Sequence, residues 1–496
     1  MTTYPRNDFD VAIIGIGPVG SVLANILGQY DIKTVLLDRV TSAYQLPRAV
    51  MFDDEIMRIF QSLGLSKKMQ EISEVGGGAR FLDANGNILA HWTRPLEQSS
   101  NAWHVNYRFH QPDLENILRE GFKRYSKVSD YWHCEVTNLQ QDRDSVIVNY
   151  REGSESSEKT LRASYVVGCD GAHSITRGYI NPEIEDLGFH EPWLVIDLLM
   201  KTPQKVLNRD SFHFCEPERS GTYVFLGSKR KRWELRLNPD DNPEDICKPD
   251  FVWPLLKRWI SPEEADIERA TVYSFHSTIA KKWREKRLFI AGDAAHQTPP
   301  FMGQGMCAGI RDAANLGWKI PAVLKQGKPD RLLDTYQSER KPHVNEFIDL
   351  TIQMGQIINR TASAIIAGNA TNPEDGPQTL GQLKPNLGSG LKASLSPLIG
   401  SLFPQPRLQS GNLLDDDIGN SFALITSIPF QAKMTTEACK RLKNLGIAII
   451  SDPTIDLMAW FKTHKVEAVL LRPDRYILGV AELPSDLTNM LTFFEA

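Results

Sequence analysis

The chain has 496 residues, 41% hydrophobic and 24% charged, which excludes wholesale disorder and fibrous architectures and leaves room for roughly three domains. Its 56 basic and 61 acidic residues give a net charge of -5 with the signs interspersed, so no basic block invites DNA or RNA. The polar Met1–Asp10 stretch lacks the pattern of a signal peptide, and no apolar run approaches the ~20 residues of a membrane span; a cytoplasmic protein without a membrane partner is expected.

The first predicted element is a buried parallel strand, Phe9 to Ile14 (FDVAII), which runs into GIGPVG with Gly15, Gly17 and Gly20 in GxGxxG spacing. Val19, Val22, Leu23, Ile26, Leu27 and Tyr30 then share one helix face, with Pro18 tolerated at the helix start, and KTVLL (33–37) is the next strand. Asp38, 18 residues beyond Gly20 and followed by Arg39, closes the unit where a carboxylate can accept from a ribose hydroxyl. Gly15 serves the tight turn, Gly17 the approach of a pyrophosphate, and Gly20 the close packing of helix on strand. This unit alone fits FAD or NAD.

Tyr165 to Gly171 (YVVGCDG) is a second strand, ending in the Asp170-Gly171 turn, with Arg177 following. Between Phe189 and Ala280 the pattern changes to WLVIDLLM, SFHFCEP, GTYVFLGS, RWELRLN and ATVYSFHSTIA, predicting an antiparallel sheet. Alternation in 232–237 puts Arg232, Glu234 and Arg236 on one face, and Trp233, Leu235 and Leu237 on the other. Next, RLFIAGD (287–293) ends a third apolar strand. Asp293 can accept from a ribityl hydroxyl, and the amides of Gly303, Gly305, Met306 and Cys307 open a helix whose positive end suits a flavin pyrimidine. Pro321 and Pro342 mark helix ends, and 369–394, rich in Pro, Gly, Asn and Ser, reads as a linker. SFALITS, IAIIS, EAVLLRP and RYILGVA then alternate with helical segments in a C-terminal α/β unit.

The six cysteines (Cys134, Cys169, Cys215, Cys247, Cys307, Cys439) contain no CxxC pair, and HExxH, GxSxG and GxxxxGK[ST] are missing, so neither zinc, disulfide, serine-hydrolase nor P-loop chemistry has support. No metal site is expected.

GIGPVG with Asp38, the CDG turn and GDAAHQTPPFMGQGMCAGIRDAANLGWKI together resemble the single-component FAD-dependent aromatic hydroxylases, nearest the 3-(3-hydroxyphenyl)propionate, phenol and resorcinol branch. The resemblance extends through LPRAVMFDDEIMRIF, FHQPDLENILREG and the C-terminal LLRPDRYILG. It implies an α/β fold: a discontinuous Rossmann-like FAD-binding domain (1–185 and 270–360), an inserted antiparallel-sheet substrate domain (186–269), a linker (361–400) and a thioredoxin-like domain (401–496). Arg48 and Gln111 match flavin-side positions, and Pro300 matches the proline beside the flavin ring. The implied reaction takes NADH or NADPH, dioxygen and an aromatic small molecule through a flavin hydroperoxide. The nicotinamide docks transiently, since only one full GxGxxG is present.

His296 is a candidate general base, with a loop hydrogen-bonding role as its alternative. Tyr223, Arg232 and Glu234 are expected on the substrate side by the family's layout; a solvated charged face competes for the last two. Packing or homodimerisation is left to the C-terminal unit, whose lone Cys439 cannot support dithiol exchange. An oxidase or halogenase on the same scaffold, or a non-catalytic flavin binder, are the rival readings; no WxWxIP-type segment favours halogenase.

Overall fold

Phe9–Ile14 is buried along its last four residues because it is an interior strand of a mixed eight-stranded sheet. It pairs in parallel with Glu158–Gly168 on one side and Thr34–Leu37 on the other. Leu288–Ile290 extends the sheet beyond the former, and Val128–Tyr131 beyond the latter, all in parallel. Residues on both faces of 11–14, Thr34–Leu37 and Leu288–Ile290 are mostly apolar and buried because helices cover both, the condition under which unbroken apolar runs form strands. The computed structural model describes residues 7–40, 48–153, 157–180, 183–202, 209–216, 218–299, 302–366 and 383–494.

The second eight-stranded sheet contains the five expected strands: Ile184–Met200, Ser211–Phe214, Gly221–Phe225, Arg230–Arg236 and Ala265–Ala280. It is wider than the inserted segment, however. Ala79–Leu82 and Ile88–Trp92 add to one edge, with Ala79–Leu82 parallel to Ser211–Phe214, and His296–Gln297 adds to the other. The sheet thus borrows both edges from chain outside 186–269. One face, carrying Leu194, Ile196, Trp233 and Leu235, packs on the Pro249–Leu256 helix. The opposite face turns toward the first sheet.

Neither proline ends its helix. Gln304–Gln326 runs through Pro321, and Thr335–Ile366 runs through Pro342. A helix-interior proline costs about 3 kcal/mol, and burial of the surrounding turns outweighs it. A Cβ on Gly309 would sit 2.6 Å from Val19, and one on Gly317 would sit 2.7 Å from Ile26, so Gln304–Gln326 lies tightly on the Pro18–Gln29 helix.

The C-terminal sheet has the order Ala448–Ser451, Ala423–Thr426, Ala468–Leu471, Ile477–Ala481, the first pair parallel and the others antiparallel. This is a thioredoxin-like arrangement. It docks through buried ion pairs: Asp415 takes Arg58 at 2.6 Å and Arg475 at 3.0 Å, and Arg472 meets Glu339 at 2.9 Å. Within the stretch expected as a linker, Gly388 donates to the Glu339 carbonyl at 2.9 Å; residues 367–382 lie outside the described residues.

Candidate functional site

The ends of the parallel strands bring the three predicted turns together. Gly15 N donates to the Leu37 carbonyl at 2.8 Å, Cys169 N to Ile14 at 2.7 Å, and Ala291 N to Gly168 at 3.0 Å. Because the chain leaves Phe9–Ile14 toward neighbours on opposite sides, a crevice opens at the carboxyl ends, the place where doubly wound sheets bind nucleotides. Gly15 has φ +100, and a Cβ there would lie 2.4 Å from the Cys169 carbonyl oxygen; a Cβ on Gly20 would lie 2.1 Å from the Gly15 oxygen.

What the crevice presents suits FAD. The Pro18–Gln29 and Gln304–Gln326 helices both begin without a side-chain cap, leaving backbone N–H groups for an anion or a flavin carbonyl. Before them, a Cβ on Gly17, Gly171 or Gly305 would meet nothing within 4 Å. Gly303, at φ +67, makes the turn into the second helix, where Met306 is half-buried and Cys307 buried. No described residue hydrogen-bonds to the Asp293 carboxylate; burial raises its pKa, while the charges of His296 and Arg48 oppose the rise. An unpaired acceptor in that position matches a polyol hydroxyl.

Other expected residues carry structural duties as well. Asp38 accepts from Ile16 N at 2.7 Å, tying the glycine turn to the second strand, while Arg39 beside it is exposed. Gln111 Oε1 accepts from the backbone N–H groups of Arg48 and Ala49, both at 2.8 Å, and so pins that segment. Asp170 accepts from Ser174 Oγ at 2.5 Å and from Thr176 N at 3.1 Å, and is spent on the following turn. Burial raises its pKa, those bonds opposing.

Three expectations are corrected or fall away. His296 is 1% exposed, with Nε2 at 2.7 Å from Asp312 Oδ2; Asp312 also receives Arg340 Nε at 2.9 Å and Gly292 N at 3.1 Å. Through Nε2 the imidazole braces the Gly292-Asp293 turn from behind, while its Nδ1 is buried with no hydrogen-bond partner among the described residues. Tyr223 pairs in register with Trp233 and Phe212 and packs on both rings, at 5.0 and 5.8 Å, on the face away from Arg232 and Glu234. Pro300 lies outside the described residues.

Arg232 and Glu234 do share the face turned to the crevice. Arg232 is wholly committed: Nε and Nη2 bind Asp197 at 2.6 and 3.0 Å, and Nη1 donates to the Arg48 carbonyl at 2.9 Å. It welds the sheet to the flavin-side segment. Glu234 is different. It is buried and receives no hydrogen bond from a described residue, its nearest cation being Arg232 Nη1 at 3.8 Å. Burial raises its pKa, and Arg232 only partly offsets the rise.

Sequence reasoning missed the residues beside it on this face. His213 stacks on Phe81 at 4.7 Å and contacts Thr222 Oγ1 at 3.0 Å, while Phe81, Trp92 and Met302 form an apolar cluster at the approach to Gly303. Arg94 and Arg108 adjoin this wall. The available signal was a lone arginine inside YRF, an otherwise apolar strand, and an Asp312 set between the buried Ile310 and Ala313.

Residues 8–351 match the model of the FAD binding domain, and 435–495 that of the HcaD C-terminal domain. A "Probable NADH-specific resorcinol 4-hydroxylase" of Rhodococcus jostii (strain RHA1) is 35% identical over 98% of this chain and 94% of that protein. A "3-(3-hydroxy-phenyl)propionate/3-hydroxycinnamic acid hydroxylase" of Mycobacterium avium (strain 104) is 32% identical over 98% of this chain and 92% of that protein. In fold, the chain matches aklavinone-11 hydroxylase solved with FAD and aklavinone, at TM-score 0.80 and 20% identity over 99% of this chain and 100% of that one. The flavin-dependent monooxygenase PieE matches at TM-score 0.79 and 20% identity over 98% of this chain and 100% of that one. The chain belongs to the FAD binding domain family, alongside curated relatives that are aromatic-ring hydroxylases.

Proposed function

We propose that this chain is an FAD-dependent monooxygenase that adds one hydroxyl group to a phenol bearing a second substituent on its ring, with NADH as reductant. One aromatic C–H, one dioxygen, one NADH and one proton become one aromatic C–OH, one water and NAD+. The observation that carries this reading is the meeting of three strand-end turns in one crevice roofed by a polar-faced sheet. The printed names of the Rhodococcus and Mycobacterium relatives supply the substrate class and the preference for NADH.

FAD, when bound, supplies the two-electron relay from nicotinamide and the activation of dioxygen. The residues fitted to hold it are Gly15, Gly17, Gly20 and Asp38 on the adenosine side, Asp293 at the ribityl chain, and the amides after Gly303 at the ring. Phe81, Trp92 and Met302 keep water from the reacting face and accept an aromatic ring. Glu234 is the group to take the phenol proton: its raised pKa brings a carboxylate nearer to phenol, and it receives no hydrogen bond from a described residue. Reduced nicotinamide and six unpaired cysteines favour a cytoplasmic setting, and the C-terminal domain is the surface to test for homodimerisation.

The test is turnover of the purified yellow holoenzyme with NADH and a panel of phenols, reading the product by mass. A gain of one oxygen, matched to NADH consumed, is expected. Hydrogen peroxide in place of that product, with every phenol tried, would make the chain an oxidase and sink the proposal.

A further inference from the structure

Arg311 stands seven residues beyond Gln304, about two turns, on one face of the helix that opens at Gly303. Its Nη1 donates to Gln304 Oε1 at 3.1 Å, its Nη2 to Asp53 Oδ2 at 2.5 Å, and its Nε to Glu55 Oε2 at 2.5 Å. Gln304 Nε2 donates to the same Asp53 oxygen at 3.2 Å, while Asp53 Oδ1 caps the Asp54–Ser62 helix by accepting from Ile56 N at 3.1 Å. One guanidinium thus ties the first residue of one helix to the cap of another. Phe347 supports it, with the ring centroid 5.2 Å away.

The other end of this chain of bonds belongs to the C-terminal domain. Tyr476 Oη donates to Glu55 Oε1 at 2.7 Å, so the carboxylate gives one oxygen to the phenol and the other to the guanidinium. Tyr476, Arg311, Asp53 and Gln304 are all buried, where bonds to charged groups are stronger than in water. Burial and the Glu55 charge hold the Tyr476 phenol well above its usual pKa, so the hydroxyl remains a donor. Among the described residues, no other side chain of 401–494 bonds to Glu55, Arg311, Asp53 or Gln304. No side chain caps the turn at Gly303, which has φ +67, from the crevice; Arg311 holds it from behind.

We propose that Tyr476 is a positioning residue through which the C-terminal domain sets the helix start at the flavin ring. Its hydroxyl orients Glu55, Glu55 orients Arg311, and Arg311 fixes Gln304 and with it the amides of Gly305, Met306 and Cys307. The inference rests on the FAD reading of the crevice, and it gives the C-terminal domain a duty beyond packing. The positive end of a helix favours negative charge on the flavin pyrimidine, so a looser helix start makes the bound flavin harder to reduce.

The experiment compares FAD-loaded wild type with Tyr476→Phe and Tyr30→Phe. Each variant loses one phenol hydroxyl that crosses the same domain boundary, since Tyr30 Oη donates to the Asn420 carbonyl at 2.7 Å. Two quantities are read: hydrogen exchange of the 304–308 amides, and the ratio of reduced to oxidised flavin at equilibrium with a reference dye. Tyr476→Phe should speed the exchange about ten-fold and lower the ratio about three-fold or more, the reach of one lost bond to a charged group, whereas Tyr30→Phe should leave both near wild type. Equal shifts in the two variants would assign the effect to domain docking in general and overturn the proposal, as would a ratio unchanged in Tyr476→Phe. Glu55→Gln, which keeps the shape and drops the charge, should lower the ratio as well; should Tyr476→Phe not fold, an unchanged ratio in Glu55→Gln overturns the relay by itself. Neither readout involves a phenol, so a chain that bound FAD and hydroxylated nothing would fail the proposed function and leave this inference standing.

Discussion

His296 Nε2 and Asp312 Oδ2 stand 2.7 Å apart, and neither side chain is reached by solvent. Burial pushes the Asp312 carboxyl up, but His296 and Arg340 outweigh it and hold the group below the usual carboxylate range. A depressed carboxylate stabilises the fold above its unfolded pKa, about 4, and that contribution is lost as pH falls through the folded value. His296→Ala should therefore lower stability by about 1–3 kcal/mol and loosen FAD, through the Gly292-Asp293 turn, without changing the shape of the pH–rate profile. Thermal melts and a pH series check this; loss of one limb of the profile with FAD affinity intact would restore His296 as a base.

Gly17 and Gly20 should separate binding from folding. A Cβ on Gly17 meets no protein atom within 4 Å, whereas one on Gly20 falls 2.1 Å from a backbone oxygen. Gly17→Ala is expected to melt within a few degrees of wild type and yet bind FAD about ten-fold or more weakly, because the methyl enters the space an incoming pyrophosphate needs. Gly20→Ala should lose several kcal/mol of stability or fail to fold. Flavin fluorescence on titration and circular dichroism distinguish the two.

His213 should make the fold acid-sensitive. Burial, helped by the charge of Arg108, brings its pKa from 6.5 to about 4. The imidazole is held neutral in the folded state and protonates first in the unfolded one, so the stability it contributes is present above pH 6.5 and lost as pH falls toward 4. Between pH 7.5 and 5 the loss amounts to about 2 kcal/mol, because each tenfold difference in proton affinity between the two states is worth about 1.4 kcal/mol. Urea melts at the two pH values should show it, and His213→Gln should shrink the difference between them by about that amount, leaving the share of His343, which burial also holds neutral.

Asp415 joins Arg58 of the flavin domain to Arg475 of the C-terminal domain, all three buried. Asp415→Ala leaves two desolvated guanidinium groups facing each other and should cost about 3–5 kcal/mol. Differential scanning calorimetry should then resolve an early transition for the C-terminal domain. Glu55, which accepts from Tyr476 at 2.7 Å, lies on the same seam, so the early transition should be accompanied by weaker FAD binding through the Asp54–Ser62 helix.

The crevice was legible because each of its parts is local. FDVAII must be a strand covered on both faces; Gly15 alone tolerates its dihedral and its distance to Cys169; GD followed by GQG places an acid and a helix start within a dozen residues. Face assignment in the large sheet was only half legible. Alternation along 232–237 fixed which residues oppose one another within that strand, and Arg232 and Glu234 indeed share a face. It said nothing of the phase of the neighbouring strand, which is set by register, and the pairing of Tyr223 with Trp233 put Tyr223 on the other side.

From the sequence alone came the strands, the glycine turns and the order of the domains, since apolar period and backbone sterics act between residues near in the chain. Only the tertiary structure decided that His296 is a brace, that Arg232 is consumed by Asp197, and that Arg94 and Arg108 form no ion pair with a described residue. Those roles depend on burial and on charges brought from distant segments, and Coulomb energies in a desolvated interior are fixed by distance in space, which the order of residues does not state.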